Sequence, residues 1–297
     1  MTSALHGVKH IILVLSGKGG VGKSTVACQL ALALAFKHGK TVGLLDVDIC
    51  GPSVPTICGL TGRDVLRTEK GWEPVSLLKP HDGAAEGQVV ENVSPEGGGA
   101  DVKVMSIAFL LPSENDAVVW RGPKKDALIR QFISDVNWGP LDYLIVDTPP
   151  GTSDEHLTLC EVLKPHDPTG AVIVTTPQDV ATDDVKKELS LCHKLGLRCL
   201  GIVENMSGFV CPHCAHCTDI FSTGGGRKLA EMYEVEFLGA IPIDPRLSLA
   251  EDNGQCFITT SACPEGSPGD GVTAVTNVIN AIVNQAEKVL LQRSGNA

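Results

Sequence analysis

The run Gly17-Lys18-Gly19-Gly20-Val21-Gly22-Lys23-Ser24-Thr25 holds the residue types that bind phosphate. From Gly17 to Ser24 it fits the pattern G-x-x-x-x-G-K-[ST]. In such a loop the backbone N–H groups cradle the phosphates, and the final lysine, here Lys23, reaches the β and γ oxygens. Lys18 is a second lysine at the loop's first variable position. It has no obvious task within one subunit, which points to nucleotide chemistry shared by two. A chance glycine turn is the competing explanation. It is weakened by the flanks, an apolar run at His10–Leu15 before the loop and a helix-forming run at Ser24–Lys37 after it. Strand, loop and helix together place a helix N-terminus at the phosphates.

Two groups of carboxylates suit the same chemistry. Asp46 and Asp48 close the apolar run Lys40–Asp46, at the sheet edge where open α/β folds bind their ligands. One can support the shell of a Mg²⁺ ion while the other reaches an attacking water. Helix capping is the plainer alternative for either. Asp147 ends the apolar run Asp142–Asp147, the place for a second carboxylate of a magnesium site. Gly151 follows in Asp147-Thr148-Pro149-Pro150-Gly151 and offers an N–H to a γ-phosphate with no side chain in the way.

A third group carries different chemistry. Cys211-Pro212-His213-Cys214-Ala215-His216-Cys217 packs three cysteines and two histidines into seven residues. A C-x-x-C pair presents two thiolates on one side of a turn, half of a four-ligand site. The other ligands must come from His213, His216, Cys217 or a second copy of the chain. Four readings stand side by side: a thioredoxin-type dithiol, incidental buried cysteines, a zinc ion shared across a dimer, and a bridging Fe–S cluster. The dithiol is disfavoured because the motif follows a late strand. Incidental burial does not suit so polar a heptad. Thiolate-only ligation from two chains favours the cluster, although spacing alone does not separate iron–sulfur from zinc.

These groups need a scaffold. Further strands are expected at Gly170–Thr176, Cys199–Asn205 and Val235–Ile241, with helices at Lys124–Val136, Ala181–Leu195 and Gly226–Tyr233. The alternation predicts one α/β domain over 1–297 with a doubly wound, mostly parallel sheet. Residues 59–118 read as an irregular insertion with a mobile Gly/Glu-rich loop at 82–101, and 205–226 as the segment bearing the cysteines. A last helix, Thr273–Gln292, has one apolar face. Docking on the protein's own sheet explains it better than a membrane, because its polar face has few cations.

Composition narrows the classes. Hydrophobic residues make up 43% of the 297, ample for a core, and the net charge is −11. That charge opposes a protein built to coat nucleic acid or anionic membranes. No apolar run reaches the ~18 residues that suggest a membrane span. Cleaving the apolar N-terminal stretch as a signal peptide would destroy the phosphate loop, so none is expected. Eleven cysteines without an export signal read as reduced thiols of a cytoplasmic protein, with Cys28 and Cys199 as small core residues.

Lys18 in GKGGVGKST, with DVD and DTPPG, resembles the deviant phosphate-loop ATPases that include MinD, the ParA partition proteins and the nitrogenase iron protein. The resemblance implies a MinD-like P-loop NTPase fold and an ATP- and Mg²⁺-dependent dimer. Lys18 would cross to the partner's phosphates while Lys23 acts in its own subunit. Ser24 would ligate Mg²⁺, Asp48 would orient the water and Asp147 would hold the metal shell. Asn205 and the segment Pro242-Ile243-Asp244 would contact adenine. The segments DVDICGPSVP, VWRGPKK, DTPPGTSDEH, VENMSGFVCPHC and IFSTGGGRKLA are similar to the Mrp/Nbp family of Fe–S cluster carrier ATPases, closest to its short, Cfd-type branch, since no cysteine precedes Cys28. That implies a [4Fe–4S] cluster held between subunits by Cys211 and Cys214, with Cys217 a less secure ligand. It also implies slow ATP turnover, a homodimer or a complex with a longer Nbp-type subunit, and transfer of the cluster to cytosolic and nuclear apoproteins. Neither nucleic acid nor membrane is an expected partner. The rivals are a MinD/ParA-like positioning ATPase, which leaves the cysteines no role, and a nitrogenase-type reductase, whose cluster ligands come from two separated segments. A third is an ATPase dimer stabilised by structural zinc.

Overall fold

Apolar runs that alternate with helix-forming stretches produce, in order, β1 (Val8–Leu15), α1 (Lys23–Phe36), β2 (Val42–Asp46), α2 (Val54–Ile57), β3 (Leu66–Thr68), β4 (Gly71–Glu73), β5 (Val75–Ser76), β6 (Val102–Ser106), α3 (Gly122–Ser134), β7 (Leu141–Asp147), α4 (Asp154–Leu163) and β8 (Gly170–Thr175). There follow α5 (Asp179–Leu195), β9 (Cys199–Val210), β10 (Cys217–Thr218), α6 (Gly225–Met232), β11 (Phe237–Ile243), α7 (Pro245–Asp252), α8 (Phe257–Thr260) and α9 (Gly271–Gly295). This computed structural model describes residues 5–49, 51–78, 100–110, 122–211, 217–260 and 271–295. Nearly all of the loop expected at 82–101, and residues 212–216 with Cys214, lie outside the described residues.

The main sheet runs β10-β9-β8-β1-β7-β2-β6-β5, with β11 paired along β9. Its strands are parallel except β5 on β6 and β10 on β9. From β1 the chain crosses to β2 beyond β7, and from β7 it crosses back to β8 on β1's other side. The crevice above β1 is therefore the topological switch point, where such sheets bind ligands.

Alternation along β1 divides the interior. Ile12 and Val14 enter one core with α1, α7, α8 and α9, and Ile11, Leu13 and Leu15 enter the other with α3, α4, α5 and α6. Both faces of β1 are thus covered, which is why it reads as an unbroken apolar run. The last helix buries Val275, Val278, Ile279, Ile282 and Ala286 in the first core, so its apolar face is docked on the sheet. Among the described residues no helix is long and apolar enough to cross a membrane.

Within the stretch 59–118, the described residues include regular structure. β3 and β4 pair as a small hairpin, and β6 is a parallel strand of the main sheet, in register with β2 from Val42↔Val102 to Asp46↔Ser106. The sequence signal of β6 is weak because Val102-Lys103-Val104-Met105-Ser106 is short and carries a lysine, whose ammonium reaches the Trp138 carbonyl at 2.6 Å. The helices α4 and α7 are additional to the helices that the sequence pattern predicts; Pro245 occupies the first turn of α7, where proline is tolerated.

One core feature works against stability. Glu188 on α5 is 0% exposed, and neither carboxylate oxygen has a hydrogen-bond partner among the described residues. Burial pushes its carboxyl up to about 7. The unfolded chain releases this proton near the ordinary value of 4.5, so stability from Glu188 is complete below that pH and lost as pH rises through about 7. The cost above pH 7 reaches at most roughly 3 kcal/mol. Glu188→Met keeps the length and removes the charge. Its urea midpoint should exceed the parent's at pH 8 and match it more closely at pH 5; no gain at pH 8 would mean that the carboxylate is already compensated.

Candidate functional site

The phosphate loop leaves the end of β1 and turns into α1. Gly22 is the N-cap of α1 with φ 84°, a left-handed conformation that favours glycine. A Cβ there would also stand 2.1 Å from the Asn205 amide nitrogen. The Ser16 hydroxyl donates to the Lys18 carbonyl at 3.1 Å and braces the start of the loop. Lys18 itself is exposed. The loop lines a cleft of about 330 Å³ that takes in Lys18, Gly19, Gly20, Lys23, Ser24 and Asp48.

Below the loop, parallel register sets Asp46 beside Asp147 at the ends of β2 and β7. Lys23, only 6% exposed, lies between the carboxylates. Its ammonium donates to Asp147 Oδ1 at 2.6 Å and to the Ser24 hydroxyl at 3.2 Å, with Asp48 Oδ2 at 3.7 Å. Burial raises the Asp147 carboxyl above its ordinary value, and Lys23 opposes that rise. Burial raises Asp46 further, helped by the neighbouring Asp147 charge. Asp147 Oδ2 is buried without a hydrogen-bond partner among the described residues. An orphaned carboxylate oxygen beside a serine hydroxyl fits a hydrated Mg²⁺ ion, which wants oxygen ligands.

Several expected roles change. Asp46 does not face the cleft. It is fully buried, accepts the Asp48 N–H at 3.0 Å and the Ser106 hydroxyl at 2.9 Å, and so braces Asp48 from behind. Gly151 does not offer a free N–H to phosphate, because that group donates to the Ser16 carbonyl at 2.7 Å. The Asp244 carboxylate caps α7, accepting from the Arg246 N–H at 2.9 Å and pairing with the Arg246 guanidinium. Gly17 packs against the Asp184 backbone of α5, outside the cleft lining. Val21 turns its side chain into the first core and its carbonyl to Asn205 Nδ2, at 2.9 Å. Ile241 is the ladder partner of Asn205, which brings Pro242 next to Asn205 along the paired strands.

Residues not singled out from sequence also belong here. Ser106 holds Asp46, and Ser53 and Pro150 line the cleft. Glu251 of α7 accepts the Thr25 hydroxyl at 3.0 Å, and burial pushes its carboxyl up to about 7. Ser53 and Pro150 stand within runs of recognisable motif, so a signal existed; Glu251 lies 226 positions from Thr25 and had none.

The cysteines fall into two kinds. Burial raises the thiols of Cys160 and Cys199 to about 11 and that of Cys192 higher still, so they stay protonated and are poor metal ligands. Cys211 is half-buried and follows directly on Val210, whose ladder partner is Cys217. The β9–β10 hairpin therefore places Cys211 and Cys217 at the two feet of one turn.

The ParA family model described as NUBPL iron-transfer P-loop NTPase matches residues 7–280. The human cytosolic Fe-S cluster assembly factor NUBP2 is 52% identical over 280 residues, 94% of each chain. The Kluyveromyces lactis cytosolic Fe-S cluster assembly factor CFD1 is 56% identical over 245 residues, 82% of this chain and 80% of its own. Among solved structures, a nucleotide-binding protein of Archaeoglobus fulgidus in complex with ADP aligns with a TM-score of 0.68 at 38% identity, over 90% of this chain and 92% of that one. The Pyrococcus furiosus cell division ATPase MinD aligns with a TM-score of 0.58 at 22% identity, over 93% and 98%, and shows a shared fold.

Proposed function

The chain belongs to the NUBPL iron-transfer P-loop NTPases of the ParA family, and on that premise we propose that it is a cytosolic Fe–S cluster assembly factor. In this reading it is a scaffold with slow ATP turnover. Two copies, or one copy with a longer Nbp-type subunit, hold a [4Fe–4S] cluster between their Cys211 and Cys214 pairs. The cluster is cargo, passed to cytosolic and nuclear apoproteins by exchanging each iron–thiolate bond for one to the client.

The observation that carries the proposal is the double attachment of one strand. β9 bears Asn205, which bonds the phosphate loop at 2.9 Å, and delivers Cys211 at its far end. The nucleotide site and Cys211, the first cysteine of the proposed pair, thus share one strand.

Mg²⁺ would be held by Ser24 and, through water, by Asp147, whose free oxygen is the group in need of a partner. When bound, the ion would neutralise charge on the β- and γ-phosphates. Lys23 would hold the same phosphates, exchanging its bond to Asp147 for one to a phosphate oxygen. Asp48, which lines the cleft, would orient the attacking water. Gly19, Gly20 and Gly22 would supply loop N–H groups, and Lys18 would reach the partner's nucleotide. Asn205 and Pro242 would face the base, with Asp244 contributing only its backbone.

Anaerobic reconstitution with iron and sulfide tests the reading. About four irons per dimer and little zinc are expected. Stoichiometric zinc that iron does not displace would favour the structural-zinc dimer instead.

A further inference from the structure

Glu204 and Asn205 are neighbours on β9, and their side chains leave opposite faces of the strand. Asn205 reaches the phosphate loop. Glu204 is 1% exposed and collects three donors: the Ser207 hydroxyl at 2.6 Å, the Gly224 N–H at 3.0 Å and the Gly226 N–H at 2.6 Å. A carboxylate is costly to bury unless so satisfied, and the N-terminus of α6 adds its favourable dipole.

The placement of the donors matters. Ser207 lies on the chain going out to the cysteines, and Gly224 and Gly226 lie where it returns to start α6. One carboxylate therefore ties together both feet of the excursion. Met206, between Glu204 and Ser207, has φ 56°, a left-handed conformation disfavoured for a residue with a side chain. Such a residue persists where its surroundings over-determine it. Here the Asn205 bond lies on one side of it and the Glu204–Ser207 bond spans it. Gly226 also fits closely, since a Cβ there would stand 3.1 Å from Glu204 Oε2.

We propose that Glu204 is the positioning residue of the cysteine segment. Its carboxylate fixes the base of the β9–β10 hairpin, and through Asn205 next to it the hairpin is held in a set relation to the phosphate loop. The consequence for cluster chemistry rests on the function proposed above; the positional claim does not.

The test uses Glu204→Gln in the full chain. Glutamine keeps the size but turns an N–H₂ group toward an N–H donor, releasing one foot of the hairpin. Maleimide labelling of Cys211 before any iron is added should be roughly tenfold faster than in the parent, the scale set by one lost charge-assisted bond. After reconstitution, iron release to a chelator should accelerate similarly, with a changed spectrum of the reduced cluster. The parent's labelling rate should respond to ATP, and that response should be weaker in the variant. Ser207→Ala removes only the outgoing donor and should shift the same rates in the same direction by less. This milder variant decides the matter if the first does not fold. Parent-like labelling and release in a folded variant would overturn the proposal. A parent that labels as expected but loads no iron would instead defeat the cluster reading and leave the positioning role standing.

Discussion

Cys211→Ala should yield a folded, nucleotide-binding protein that does not take up iron. After anaerobic reconstitution the parent dimer should carry about four irons and the variant essentially none, because two of the four proposed bridging thiolates would be gone. Cys214→Ala should behave alike. The fold is expected to survive because Cys211 lies beyond Val210 at the foot of a hairpin, outside both hydrophobic cores. Unfolding free energy should therefore stay within about 0.5 kcal/mol of the parent. Cys199→Ala is the control, since that thiol is held protonated by burial and should be irrelevant to iron content. Cys217→Ala distinguishes a third ligand from a strand residue: lost iron indicates ligation, unchanged iron a place in the ladder only. A brown, fully loaded Cys211→Ala protein would remove the cysteine pair from the mechanism.

Lys18→Ala is expected to bind ATP normally and turn it over roughly a thousandfold more slowly, the lower range for a cation supplied in trans to a transferring phosphoryl group. The side chain is exposed at the cleft, and it is the Lys18 carbonyl that braces the loop, so alanine leaves the loop's own hydrogen bonding intact. Parent turnover per chain should rise with protein concentration as dimers form, and the variant's should not. Full turnover in Lys18→Ala would leave the exposed lysine without a catalytic part. Lys23 offers the contrast. It is buried between Asp147 and Asp48, so its removal would strand charge beside Asp46 and Asp147 and cost about 3 kcal/mol or more, confounding stability with catalysis.

The phosphate loop, the aspartates at strand ends and the C-x-x-C pair were legible because each depends on short spacing. Gly17 to Ser24 close one loop, and Cys211 and Cys214 stand three positions apart in the sequence. The parallel sheet was equally legible, since strands buried on both faces must be continuously apolar, as Ile11 to Leu15 are. β6 was not, because Val102–Ser106 acquires its place only by pairing with β2, a contact that local propensity does not encode.

The sequence by itself supplied the chemical inventory: a loop with the residue types that bind phosphate, cysteines with metal-ligand spacing, and Lys18 as a second lysine in that loop. Tertiary structure decided which of two similar groups does which job. The spacing in DVD does not by itself separate Asp46 from Asp48, yet register with Ser106 and Asp147 buries the first, and the second lines the cleft. Gly151 and Asp244 look available until Ser16 and Arg246 claim them. Glu204 shows the same limit from the other side. Its three donors come from positions 207, 224 and 226, and only the folded return of the chain makes them neighbours. Hydrogen bonds are satisfied in space and not in sequence order, so the partner that sets a polar residue's role emerges only after the chain has packed.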